Sequence, residues 1–326
     1  MTDNRITTKR TYWERNRLSG GELFAKDAMK WFVSITRFIL LFGLCFLILQ
    51  PILNKISVSL MEEQDLYNPL VISIPEHVTA ANYQLASEFM DYWHTLLWTF
   101  IVSLTIAILQ IAVCTFVGYG FARFEFPFKK FWFGCVILLI VIPPQTISTS
   151  LFLHFRYFKI LFWEFNLRGS PIPYYLMSAG CMGLKCGLYI YMIRQFFRNM
   201  PKELEEAAYV DGLGTFGTFI RIMLPDAKPI LVSCFLFSFV WQWTDSFYSG
   251  LFLGNIKLLS IQVSAIADRL DNYVKYTLNK ASGASPGYIQ CVVSTGTLMV
   301  IVPILILYLI MQRGFTESIA QTGIKA

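Results

Sequence analysis

Charged residues are scarce in this sequence, at 15% of its 326 residues, whereas 55% of the residues are hydrophobic. The mean hydropathy is +0.52. This balance excludes a single soluble domain, because such a domain needs a larger share of polar surface. The chain is long enough and apolar enough for several membrane spans.

Several signatures of chemistry are also missing. The sequence has no GxxxxGK[ST] loop, so we do not expect this chain to cradle nucleotide phosphates or to hydrolyse ATP itself. It has no HExxH helix, its seven cysteines lack CxxC spacing, and His77, His94 and His154 are scattered, so we expect no metal site. No basic patch is interleaved with aromatic residues as nucleic-acid binding requires. We therefore predict no catalytic residues, no directly bound cofactor and no nucleic-acid partner.

Apolar runs dominate what remains. Crossing a bilayer takes about 20 residues, and runs of sufficient length occur at 32–54, 95–122, 131–154, 173–193, 230–254 and 289–311. Pro143 and Pro144 should kink or break the third run, and Gly180, Gly183 and Lys185 interrupt the fourth. The predicted fold class is an all-α integral membrane protein with six transmembrane helices.

The distribution of Lys and Arg predicts the orientation of these spans. Residues 1–30 are basic, whereas no Lys or Arg occurs between Lys55 and Arg123. Basic residues are retained on the cytoplasmic side, where they also contact anionic lipid headgroups. Both termini are therefore predicted to be cytoplasmic. Arg156, Lys159 and Arg168, in a loop predicted to be outside, run against this rule.

The charged stretch at 201–230, PKELEEAAYVDGLGTFGTFIRIMLPDAKPI, separates the fourth and fifth runs. We predict a helix capped by Asn199, with Pro201 in its first turn and one face formed by Leu204, Ala207 and Ala208. Gly212 is expected to adopt a left-handed conformation that ends this helix. A second helix from about Thr215 would place on one face Phe216, Phe219, Ile220 and Met223. Such a helix-turn-helix is suited to a groove on another protein.

Seven residues of this stretch have the spacing of a known motif: Glu206, Ala207, Ala208, Gly212, Ile222, Leu224 and Pro225. The stretch resembles the EAA loop of ATP-binding-cassette importer permeases. The flanking segments 194–197 and 228–229 resemble the sugar-importer branch whose type member is the smaller maltose permease subunit. The resemblance implies a six-span permease domain at 31–313, containing a cytoplasmic coupling loop at 199–229, between cytoplasmic tails at 1–30 and 314–326.

The resemblance also implies partners and a mechanism. The partners would be a homologous second permease, two copies of a cytoplasmic ATPase that use ATP and Mg²⁺, and an extracytoplasmic solute-binding protein that delivers an oligosaccharide. The chain would form half of a translocation pathway that works by alternating access in a bacterial-type plasma (inner) membrane. Glu206 is the expected charged contact with the ATPase, and Gly212 is expected to matter sterically. The alternatives are a secondary carrier or channel and, more remotely, a membrane-embedded enzyme.

Two ionisable residues fall inside predicted spans, Lys185 in the fourth and Asp245 in the fifth. Such residues usually face a protein interior or an aqueous cavity, so we expect the two to approach each other or to line a cavity. The alternative is that each snorkels to the outer interface. Trp241, Trp243 and Tyr248 could stack on sugar faces, although aromatic residues in membrane helices more often serve packing.

Overall fold

The computed structural model describes residues 22–71, 73–160, 162–254 and 256–323, and 77% of it is helical. Residues 1–21 and 324–326 of the predicted tails lie outside this description. Residues 22–30 and 314–323, which were also assigned to tails, belong to helices. The chain divides into two compact units, residues 1–57 and 58–326.

The described residues of the first unit form one helix, α1 (Glu22–Ser59). The last two residues of this helix belong to the second unit. Its side chains are almost all exposed, including Phe38, Leu41 and Ile48. Residues 26–59 form an apolar helix long enough to cross a membrane. The first predicted span is therefore a helix with an apolar surface suited to lipid.

The second unit holds the other elements. In chain order its helices are α2 (Glu63–Tyr67), α3 (Ala81–Met90), α4 (Tyr92–Arg123), α5 (Lys129–Val141), α6 (Ser148–Arg156), α7 (Ile172–Ala179), α8 (Cys186–Asn199), α9 (Glu203–Val210), α10 (Thr215–Thr218), α11 (Leu224–Asp226), α12 (Lys228–Thr244), α13 (Phe247–Phe252), α14 (Leu259–Ser264), α15 (Ile266–Asn272) and α16 (Pro286–Gly323). A 3₁₀ turn spans Pro144–Ile147, and π-turns span Phe219–Met223 and Tyr273–Thr277. Strands β1 (Phe158–Ile160) and β2 (Trp163–Phe165) form an antiparallel hairpin, which the all-α prediction did not include.

Among the described residues, three helical stretches are long and apolar enough to span a membrane, or up to five if each of two bent pairs counts as one span. The three are Lys26–Ser59, Tyr92–Arg123 and Pro286–Gln312, which match the first, second and sixth predicted spans. The predicted break at Pro143 and Pro144 is confirmed by a bend of 99°. The predicted interruption of the fourth run is also confirmed, because α7 and α8 are separate helices. The count of six remains a prediction.

The break between α7 and α8 is stabilised by one amide side chain. Gln110 of α4 donates from Nε2 to the Leu184 carbonyl at 2.9 Å, and its Oε1 accepts from Ser238 Oγ of α12 at 2.6 Å. All of these groups are buried. The carbonyl freed by the helix break is therefore satisfied from a neighbouring helix, as a buried backbone group requires.

Proline creates a similar demand in α16. Pro303 has no N–H, so the Met299 carbonyl lacks its usual partner within the helix. The Tyr92 hydroxyl donates to that carbonyl at 3.0 Å. The Trp243 indole N–H donates to the neighbouring Val300 carbonyl at 3.2 Å. Tyr92 of α4 thus supplies the donor that the proline removes, and Trp243 of α12 adds a bond to the next carbonyl.

Small residues set the closest helix contacts. A Cβ added to Gly187 of α8 would lie 2.8 Å from the Val136 carbonyl oxygen of α5. One added to Gly118 of α4 would lie 2.9 Å from Ile193 Cγ2 of α8. The backbones of α4, α5 and α8 approach closely because these positions lack side chains.

Candidate functional site

The charged stretch after α8 folds into a helical hairpin, residues 203–226, as expected. Its first helix begins at Glu203, so the predicted cap at Asn199 is wrong. Asn199 is the last residue of α8. Met200, which precedes Pro201, is extended with ψ 140°. A residue before proline disfavours the helical conformation, so α8 ends there and a short linker leads to α9.

The turn of the 203–226 hairpin depends on Gly212. Its φ is +83°, which confirms the predicted left-handed conformation. The Leu213 N–H donates to the Ala208 carbonyl at 3.0 Å, and the Gly212 N–H donates to the Tyr209 carbonyl at 3.1 Å. These two bonds form a Schellman motif that satisfies the carbonyls at the end of α9. A Cβ at Gly212 would meet no atom of this chain within 4 Å, so the requirement for glycine within the chain is conformational.

The first helix of the hairpin has an outward face. Glu206 and Ala207 are exposed, whereas Ala208 is buried, so the predicted face of Leu204, Ala207 and Ala208 is only partly exposed. Val210, at 88% relative exposure, extends the outward face. Together these residues form an exposed surface with both apolar and acidic groups.

The second half of the hairpin departs further from the predicted face. Phe219 and Met223 are buried, but Phe216 is 69% exposed and Ile220 is also exposed. The reason is the π-turn at 219–223, in which each bond closes over five residues and shifts the side-chain register. Of the motif residues here, Ile222 and Leu224 are half-buried and Pro225 is exposed.

A buried ion pair joins the hairpin to α4. No pattern of neighbouring residues predicts this pair. Arg123 Nε lies 3.3 Å from Glu205 Oε1, with side-chain exposures of 6% and 11%. The Tyr119 hydroxyl donates to the same carboxylate oxygen at 2.9 Å. Arg123 also donates from Nη2 to the Met200 carbonyl at 3.0 Å. One arginine thus holds both the linker and the first turn of α9.

Lys185 lies at the break before α8 and has a left-handed backbone, with φ +62°. Its ammonium lies 4.8 Å from the centre of the Trp241 ring. Both side chains are exposed, and the ion pairs found between described residues do not include Lys185. These two pathway candidates therefore form one positively charged, aromatic surface.

Asp245 follows α12 and is buried. Its Oδ2 accepts hydrogen bonds from the Tyr174 hydroxyl and from the Ser249 N–H at 2.9 Å, and the Ser249 hydroxyl lies 3.0 Å away. Asp245 therefore caps α13 within the core instead of pairing with Lys185. The described ion pairs do not include one between Lys185 and Asp245, whose carboxylate has neutral donors instead, and a cavity lined by both residues stays a prediction.

The remaining pathway candidates are packing residues of this chain. Trp243 is 1% exposed and its indole N–H is used by α16, as described above. Tyr248 is also buried and stacks against Phe252 with ring centres 6.2 Å apart. Only Lys185 and Trp241 among the pathway candidates are exposed on this chain.

Three side chains of metal-ligating type meet in the segment between α1 and α3, although the sequence suggested that His77 stands apart. The ligand atoms of Asp65, Glu76 and His77 lie within 4.8 Å of one another. His77 Nδ1 lies 2.7 Å from Asp65 Oδ1, and Asp65 Oδ2 accepts the backbone N–H groups of both Glu76 and His77. Since both oxygens of Asp65 are occupied, we interpret the cluster as a structural clasp.

This clasp shifts both of its titratable groups. Burial acts to raise the pKa of Asp65, but the hydrogen bonds from the His77 ring and from the backbone outweigh it, so the net shift is downward. The hydrogen bond with Asp65 raises the pKa of His77. The charged pair is therefore favoured at mildly acidic pH.

The GxSxG spacing that is typical of serine hydrolases occurs at 283–287. The sequence-based prediction of no catalytic residues did not take this spacing into account. Ser285 Oγ accepts the Tyr288 N–H at 3.1 Å and donates to Glu63. Ser285 is thus the N-cap of α16, with Pro286 at the first helical position. The segment leads from a π-turn into a helix and lacks the strand-turn-helix context of a nucleophile elbow.

Long apolar helices, broken helices and a hairpin with an exposed face are typical of a membrane transport subunit. Residues 114–314 match the family model described as "Binding-protein-dependent transport system inner membrane component". The chain belongs to this family of ABC transporter permeases, which confirms the family identified from the 201–230 stretch.

Individual relatives agree. The chain is 26% identical over 317 residues to the probable ABC transporter permease protein YurM of Bacillus subtilis, covering 93% of each protein. It is 29% identical over 188 residues to the probable ABC transporter permease PH1036 of Pyrococcus horikoshii, covering 58% of this chain and 63% of the relative. The melibiose/raffinose/stachyose import permease MelC of Bacillus subtilis is 26% identical over 251 residues, which is 77% of this chain and 83% of MelC.

A solved structure supports the fold. It is the crystal structure of a bacterial ABC transporter involved in the import of the acidic polysaccharide alginate. One of its chains superposes with a TM-score of 0.66 at 18% identity, covering 93% of this chain and 99% of that chain. The helical architecture is therefore that of an ABC importer subunit.

Proposed function

We propose that this chain is one of two homologous, non-identical permease subunits of an ATP-driven importer of carbohydrate. A cytoplasmic ATPase, present in two copies and using ATP and Mg²⁺, binds the outward face of the 203–226 hairpin. An extracytoplasmic solute-binding protein delivers the substrate, and the spans alternate between inward and outward access. Both termini and the hairpin lie on the cytoplasmic side.

The observation that carries this proposal is the exposed apolar surface of the hairpin. Val210 and Phe216 are 88% and 69% exposed, and the exposed Glu206 lies one turn before Val210 on α9. Exposed large apolar residues next to a charge are typical of a protein interface. The other side of the hairpin is anchored in the core through Phe219 and Met223.

Carbohydrate is the proposed substrate class because relatives carry sugar names. These include MelC and the arabinooligosaccharide permease AraQ of Halalkalibacterium halodurans, 24% identical over 285 residues. The exposed pair of Lys185 and Trp241 supports a polar substrate with apolar ring faces, since an indole stacks on a sugar ring. Trp243, Asp245 and Tyr248 would then shape the pathway from within the core.

The test is a pull-down of the tagged chain from detergent-solubilised native membranes. The hairpin variant carries Val210→Asp and Glu206→Lys. The control is Phe162→Asp, because Phe162 is a 96% exposed apolar residue beside the β1–β2 hairpin and far from 203–226 in sequence. We expect an ATPase subunit to co-purify with the wild type and the control but not with the hairpin variant. Recovery with all three chains, or with none, contradicts the proposed docking surface.

A further inference from the structure

We infer that Arg123, Glu205 and Tyr119 form a buried link through which movement of the 203–226 hairpin is transmitted to α4. The inference rests on the proposed function, because it concerns how an ATPase bound to the hairpin moves the spans. None of these three residues belongs to the motif that identified the hairpin.

Arg123 is placed to join α4 to the hairpin. It is the last residue of α4, where the negative end of the helix dipole favours a cation. Its guanidinium reaches two points of the neighbouring segment, the Met200 carbonyl at 3.0 Å and Glu205 Oε1 at 3.3 Å. The linker between α8 and α9 is therefore held to α4 at both ends.

The carboxylate of Glu205 is buried. Glu205 is 8% exposed, whereas its neighbours Glu203 and Glu206 are exposed. A buried carboxylate must keep its partners, because separating it from Arg123 leaves two uncompensated charges. The Tyr119 hydroxyl, at 2.9 Å, adds a second bond from the preceding turn of α4. The link therefore resists any sliding of α9 relative to α4.

Aromatic rings pack around the link. The Tyr119 ring lies 4.7 Å from the Phe219 ring and 5.2 Å from the Phe197 ring, measured between centroids. Phe219 belongs to the second half of the hairpin and Phe197 to α8. Interlocked packing of this kind moves as one body instead of deforming gradually. The hairpin, the end of α8 and the end of α4 are thus expected to move together.

The chain offers a matched control for the link. Lys129 and Glu125 form another ion pair nearby in sequence, with Nζ 2.8 Å from Oε1, and their side chains are 18% and 89% exposed. A pair whose carboxylate is open to solvent contributes little to stability or to mechanical connection. Reversing the charges of that pair, Glu125→Lys with Lys129→Glu, should leave transport unchanged.

The experiment measures transmission directly in the complex of the full chain with its ATPase and partner permease, reconstituted in liposomes. A cysteine introduced by His94→Cys reports on the other end of α4, since His94 lies in its first turn and is exposed. Exposed Cys45 is replaced by serine to remove the background. The readouts are maleimide labelling with and without ATP, the amount of bound ATPase, and the rate of ATP hydrolysis.

We expect ATP to change the labelling rate at least about fivefold in the wild-type complex, the lower range of measured allosteric couplings. Glu205→Gln should abolish that change while the ATPase stays bound and active. Arg123→Glu and Glu205→Arg should each do the same, and the charge-reversed double variant should recover part of the response. If the three residues only stabilised the fold, every variant would have a lower yield and melting temperature. The ATP-dependent change in labelling rate per folded complex would then be unaffected.

Two results would overturn the link. One is an ATP response in Glu205→Gln equal to that of the wild type. The other is an unresponsive wild-type complex that nevertheless binds and hydrolyses ATP, since α4 would then not follow the hairpin. Failure of the wild-type chain to bind any ATPase is a different outcome, because it contradicts the proposed function itself.

Discussion

Replacing Gly212 should strain the turn of the 203–226 hairpin without creating any clash. The residue has φ +83°, and open space surrounds the position of a Cβ. For an L-residue the left-handed conformation costs about 1–2 kcal/mol, more for a β-branched side chain and less for asparagine. We therefore expect stability and transport to fall in the order Gly, Asn, Ser, Val.

Gly214 provides the matched comparison two residues later. Its φ is −73° and its ψ is 167°, and a Cβ there also meets nothing within 4 Å. It is the N-cap of α10, a position that serine favours. Gly214→Ser should therefore be neutral or stabilising, whereas Gly212→Ser should lose about 1–2 kcal/mol.

The assay combines thermal unfolding of the detergent-solubilised chain with substrate uptake normalised to the amount of protein in the membrane. If Gly212→Ser and Gly214→Ser behave alike in both measurements, the argument from backbone conformation is refuted. Normal uptake by Gly212→Val at normal membrane levels would further show that the turn is not needed for coupling.

Three further predictions concern other regions. Gly187→Ala should destabilise the chain by about 1–3 kcal/mol in thermal unfolding, because its Cβ would press on a backbone carbonyl. Gly120→Ala is the control and should be neutral, because nothing lies within 4 Å of its Cβ. Equal effects of the two substitutions would contradict the close approach of the helices at Gly187. Asp245→Ala should cost about 1–3 kcal/mol by leaving buried donors unpaired, and an unchanged melting temperature would refute its capping role. The clasp between Asp65 and His77 should stabilise segment 62–79 most between about pH 4 and 6.5. This stabilisation is lost as pH rises through the raised pKa of His77 and as pH falls through the lowered pKa of Asp65. Amide hydrogen exchange across 62–79 should show this maximum, and His77→Gln should flatten it.

Sequence reasoning worked where one residue type has one dominant consequence. Long apolar runs predicted α1, α4 and α16, because a helix is the way to satisfy the backbone in lipid. Two successive prolines predicted the break after α5, and a glycine between two helical patterns predicted the left-handed turn at Gly212. In each case the evidence lay within a few neighbouring residues.

It failed where the outcome depends on distant partners. No local pattern distinguishes Glu205 from its acidic neighbours, because its partners Tyr119 and Arg123 are about eighty residues earlier. Asp245 was expected to meet a lysine, yet hydroxyl and amide donors surround it. The π-turn at 219–223 likewise displaced the predicted apolar face, since periodicity assumes a regular helix.

The single amide of Gln110 has a mechanical consequence. Because its nitrogen is bonded to the Leu184 carbonyl and its oxygen to the Ser238 hydroxyl, it fastens α12 to the start of α8 from a position on α4. Shearing any one of these three helices past the others would strand a buried donor or acceptor, at about 1–3 kcal/mol for each group. Sliding of these three helices past one another is therefore disfavoured at this point.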